Sequence, residues 1–169
     1  MSPLNRRIVV STLTLVALAS LSLGLGAQSA SPLTGTWMIN VAKSTFSPVS
    51  LAPKSSTSKV DITGDMIKVV VDGVDSMGLK VHTEYSVKMD GKDYPWKGTV
   101  DGKPSVNQDT VAWTKIDDYT YESTNKLKGE TLTTQRVVIA KDGKTRTNTV
   151  TGKNADGQTV SHTVLYEKH

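Results

Sequence analysis

Polar and apolar residues alternate along most of the chain with a period of two. Short runs rich in Val, Ile, Thr, Tyr and Trp are separated by Gly, Asp, Asn and Pro, and no segment shows a helical period. The pattern predicts ten strands, over 36–41, 57–62, 67–72, 79–89, 92–98, 110–116, 119–127, 130–140, 144–152 and 158–168. In 79–89, Val81, Thr83, Tyr85, Val87 and Met89 share one side, while Lys80, His82, Glu84, Ser86 and Lys88 share the other. One face therefore packs inward and one meets water. In 144–152 the row Thr145, Thr147, Thr149 and Thr151 reads as a solvated face. In 158–168 the more apolar row is Val160, His162, Val164 and Tyr166. Tyr119, Tyr121, Ser123 and Asn125 form one inner row.

Five Asp-Gly pairs, at 72–73, 90–91, 101–102, 142–143 and 156–157, read as hairpin turns, and Lys128-Gly129 reads as another. Both residues of such a pair tolerate positive φ, which suits the twist of the flanking strands. Ser44 to Ser58 is the one long irregular connection. Many short strands with regular turns predict a single all-β domain, an antiparallel up-and-down barrel of 8–10 strands over 31–169.

The first thirty residues break the alternation. Arg6-Arg7 precede a nearly uncharged run from Ile8 to Leu25, and small residues follow through Gly24, Gly26, Ala27 and Ala30. A short basic region, an apolar stretch and a small-residue exit are the features of a cleavable signal peptide over 1–30. The alternative is a permanent membrane anchor, since the run is just long enough to span. With cleavage, the membrane is met only during export, and the mature chain is a periplasmic or secreted protein of bacterial type, expected to be a monomer.

Charge narrows the partners. The chain has 20 basic and 16 acidic residues, but Arg6 and Arg7 sit in the leading segment, which has no acid, leaving 18 against 16. A mixed, nearly balanced surface argues against nucleic acid. The absence of Cys removes disulfides, thiolate metal sites and a cysteine nucleophile. His82, His162 and His169 are the only histidines. An inner His162 without a second ligand gives no metal or haem site, so neither metal nor cofactor is expected. No Gly-x-Ser-x-Gly, His-Glu-x-x-His or phosphate loop occurs, and no enzyme activity is expected.

Thr34-Gly35-Thr36-Trp37, followed by Asn40 and Lys43-Ser44-Thr45-Phe46, resembles the opening of the calycin superfamily of lipocalins, fatty-acid-binding proteins and avidins. Leu127 to Val138 and Val164-Leu-Tyr166-Glu-Lys168 resemble the closing hairpins of fatty-acid-binding proteins, and Ser58 to Val69 their second and third strands. The resemblance implies that Trp37 plugs the closed end and that Gly35 lets the first strand bend close to its neighbours. It also implies that an arginine, matched by Arg136, and a tyrosine, matched by Tyr166, hold a ligand carboxylate. The family's second arginine falls at Val164, and Ser44 to Ser58 is too short and too rich in Pro and Ser for the family's helical lid.

Arg136 is the leading candidate for binding. Taking Leu132, Thr134, Arg136 and Val138 as the inner set of 130–140 places a guanidinium in the interior. A ligand anion, an inner acid or a carbonyl must then meet it. The other reading turns Arg136 to solvent. Tyr85, Tyr121, Asn125, His162 and Tyr166 complete a polar interior suited to a small amphipathic or anionic molecule. The competing expectation is a filled interior, with loops carrying protein contacts or inhibition.

Overall fold

The computed structural model describes residues 30–169; the expected signal peptide over 1–30, all but Ala30, lies outside the described residues. The described chain forms β1 (Gly35–Ser47), β2 (Ser55–Thr63), β3 (Met66–Val74), β4 (Lys80–Lys88), β5 (Tyr94–Pro95), β6 (Gly98–Val100), β7 (Lys103–Pro104), β8 (Thr110–Lys115), β9 (Thr120–Leu127), β10 (Glu130–Ile139), β11 (Thr145–Lys153) and β12 (Thr159–Lys168). They make one antiparallel sheet, in the order β5-β8-β9-β10-β11-β12-β1-β2-β3-β4-β6-β7.

The two ends of that order meet in one stretch of chain. β5 pairs with β8 and β6 pairs with β4, and only Trp96 and Lys97 separate β5 from β6. Trp96 N donates to Asp109 O at 2.8 Å, while Glu84 N donates to Lys97 O at 3.1 Å. The segment changes partner midway and closes the sheet into a barrel, leaving no long free edge. The strand predicted over 92–98 is therefore two short pieces. A Cβ on Gly98 would lie 2.3 Å from the Trp96 ring, so only glycine lets that ring lie back over the seam.

Most turns fall where the Asp-Gly pairs place them. Asp101 and Gly102, with φ of 47° and 73°, and Lys128 and Gly129, with 52° and 83°, are the left-handed pairs such hairpins need. Asp72-Gly73 is a correction: it lies inside β3, opposite His82 and Val81. A Cβ on Gly73 would sit 2.5 Å from Ser55 O, so this glycine serves close strand approach. β1 also runs further than expected, to Ser47, absorbing part of the predicted connection through a register shift between Asn40 and Thr45. A single 3-10 turn, Val49–Leu51, fills the rest.

The apolar core gathers at one end, around Leu33, Trp37, Ile67, Val87, Tyr121 and Val137. Trp37 is fully buried and its indole N–H donates to Leu33 O at 2.8 Å. Lys168 lies on its ring, Nζ 4.9 Å from the centroid, and donates to Pro32 O at 3.0 Å. Gly35 sits under the Lys168 stem, where a Cβ would come within 2.6 Å of Cε, and its φ of 136° is one that other residues resist. Trp37 is thus buried in the core beneath Lys168, and Gly35 makes room for the Lys168 stem.

Candidate functional site

β10 shows the opposite face from the one expected. Val137 and Ile139 are buried and Gln135 points inward, while Leu132, Thr134, Arg136 and Val138 belong to the outer row. A register irregularity between Thr131 and Thr133 sets this parity. Arg136 stands opposite Glu122 of β9 on the solvent side, and the two half-exposed side chains pair there. Such exposed pairs contribute little. Arg136→Met should therefore leave the stability within about 0.5 kcal/mol of wild type and leave ligand affinity unchanged; a lost affinity for an anionic ligand would restore Arg136 to the site.

The other candidates separate by height. Tyr85, Asn125 and Tyr166 line an interior cavity of about 230 Å³. Tyr121 is inward and buried, but it sits at the closed end, where its hydroxyl meets Ser31 Oγ at 2.7 Å. His162 is in the inner row but near the open end. Its Nδ1 accepts from Ser47 N at 3.3 Å, its ring centroid lies 5.3 Å from that of Phe46, and partial burial lowers its pKa. Neither Tyr121 nor His162 reaches the cavity.

The buried arginine is Arg146, on β11, which the sequence reading did not single out. It is 4% exposed and lies between Ile139 of β10 and Tyr166 of β12. Its guanidinium carbon is 4.4 Å from the Tyr166 ring centroid and 5.1 Å from that of Trp37. The signal was present: if the threonines at 145, 147, 149 and 151 face water, Arg146 and Asn148 must face inward.

Arg146 has no carboxylate partner among the described residues, and its Nε has no hydrogen-bond partner. Burial pulls its pKa down to about 10, only partly opposed by the phenols of Tyr166 and Tyr85, so it stays charged at neutral pH. The aromatic faces offset part of the cost of burying it. The remaining polar wall is neutral. Gln108 donates to Asn125 at 3.0 Å, Asn125 to Thr133 at 3.1 Å, Asn148 to Gln135 at 3.3 Å and Gln135 to Ser123 at 3.4 Å. Trp113 Nε1 donates to the Tyr85 hydroxyl at 3.2 Å, and burial pushes the Tyr85 pKa up to about 12.

Toward the open end an adjoining apolar pocket of about 180 Å³ shares Val71 and Tyr166 with this cavity and is walled by Ile39, Phe46, Pro53 and Val81. A wider hollow of about 700 Å³ lies at the other end against Ala30, Lys115 and Asp118. Its lysine and aspartate are already paired, at 2.7 Å.

No protein-family profile matches the chain, and no curated protein sequence does. Among solved structures it is similar to the zebrafish ileal bile acid-binding protein complexed with cholic acid. The TM-score is 0.51 with 14% identity, over 82% of this chain and 100% of that one. At that identity the likeness is one of fold: an all-β antiparallel barrel of the kind that includes a small-molecule binding protein.

Proposed function

We propose that this chain is an exported, non-catalytic binding barrel that takes a small amphipathic anion into its interior. The negative group lies against Arg146, and the apolar part runs past Tyr166 toward the open end. One observation carries this reading: a guanidinium, 4% exposed, in a cavity whose walls hold no acid. A buried cation is costly unless an anion or several acceptors meet it, and a carboxylate-like group would do so through charge-assisted bonds. Tyr85, Asn125 and Tyr166 form further walls of the same cavity. At about 230 Å³, with about 180 Å³ beside it, the space suits a molecule smaller than the drug-sized ligands of ~300–1,000 Å³ pockets. The basic, apolar and small-residue order of 1–30 supports export to the periplasm or beyond.

Native mass spectrometry of the protein from its own source tests both halves. The expected result is a mass that begins near residue 30 and carries a small anion released on denaturation. A ligand-free protein that also fails to take up small carboxylates would overturn the binding reading, and recovery of Met1 in a membrane-bound form would overturn export. The second reading, a partner-binding barrel, draws on Val49, Met77 and Val106, which stand 78%, 76% and 78% exposed outside the strands. A co-purifying protein in place of a small molecule would favour it.

A further inference from the structure

We infer that Tyr85 supplies a second hydrogen bond to the anion held by Arg146, and that Trp113 is the positioning residue that leaves Tyr85 free to do so. This rests on the anion-binding reading above. An indole N–H can only donate, so the 3.2 Å contact between Trp113 Nε1 and the Tyr85 hydroxyl runs from indole to phenol. The phenol oxygen is thereby occupied as an acceptor, and its own proton has no acceptor among the described residues. Tyr85 is only half-buried although it points into the barrel, because it forms part of the cavity wall. Arg146 lines the same cavity.

The strands make the arrangement specific. Tyr85 belongs to β4 and Trp113 to β8, which are joined mainly through the 94–100 segment. The indole–phenol bond spans that seam and fixes the direction of the phenol. Burial also keeps the proton on Tyr85 across the physiological range. A guanidinium and a neutral O–H lining one cavity offer two donor groups to a single carboxylate.

Hexanoate is the probe, with hexanol as the uncharged control, titrated into the mature wild-type chain and two variants. Affinity is read by calorimetry and the indole N–H signals by NMR. Tyr85→Phe keeps the ring and should weaken hexanoate by about 5- to 20-fold. Trp113→Phe should weaken it similarly, with no further loss when combined with Tyr85→Phe. Hexanoate, but not hexanol, should move the Trp113 N–H signal in wild type and leave it still in Tyr85→Phe. Unchanged affinity in Tyr85→Phe overturns the inference while leaving the role of Arg146 intact. Equal losses from Trp113→Phe with and without the Tyr85 hydroxyl overturn the positioning role. If wild type binds no hexanoate, the anion reading and this inference fall together. Should Trp113→Phe not fold, Tyr85→Phe and the wild-type N–H signal decide.

Discussion

Trp37→Ala should destabilise the domain by about 3–5 kcal/mol, the usual cost of truncating a large buried aromatic. A domain of this size has only ~5–15 kcal/mol in total, so the melting temperature should fall by roughly 10–20 °C, or the protein should fail to fold. The expected size follows from what the ring touches. It is 0% exposed, its N–H is bonded to Leu33 O, and the Arg146 and Lys168 cations approach its ring. Removing it opens a void at the closed end and takes away contacts of two cations at once. Thermal melting followed by circular dichroism measures the change. An unchanged melting temperature would mean that Trp37 does not close the barrel.

Arg146→Met should do the reverse: binding is lost while the fold is kept. Replacing a buried, unpaired cation with an apolar side chain of similar length is often neutral or stabilising. The cation's contacts with Trp37 and Tyr166 offset part of that gain. The net expectation lies between no change and a gain of about 2 kcal/mol. Affinity for a small carboxylate should fall by at least about thirtyfold, because the anion would enter the same cavity with no cation to meet it. A melt and a titration on one preparation separate the possibilities. Lost stability without any detectable ligand would make Arg146 a structural group in a filled interior.

The two arginines mark where sequence reasoning reached and where it stopped. Alternation in 79–89 put Tyr85 inside and Glu84 outside, as the structure has them, because apolar and charged residues there separate cleanly. In 130–140 they do not. Leu132 and Val138 accompany Arg136 on one parity, while Val137 and Ile139 accompany Gln135 on the other, so composition favours neither. The register irregularity near Thr131 and the pairing of Arg136 with Glu122 decide it. Arg146 was legible as the complement of the threonine row, yet an arginine on a strand is ordinarily a surface residue.

The chain by itself determined an all-β domain, most of its hairpin turns, and the inward facing of Tyr85, Tyr121, Asn125, His162 and Tyr166. These depend on neighbours one or two residues apart, through side-chain period and turn geometry. Only the tertiary structure decided which inward residues share a layer: Tyr85, Asn125 and Tyr166 meet Arg146 around the cavity, Tyr121 lies below and His162 above. Alternation specifies a face but carries no information about height along the barrel. Height comes from register and tilt between strands far apart in sequence, such as β4, β9, β11 and β12.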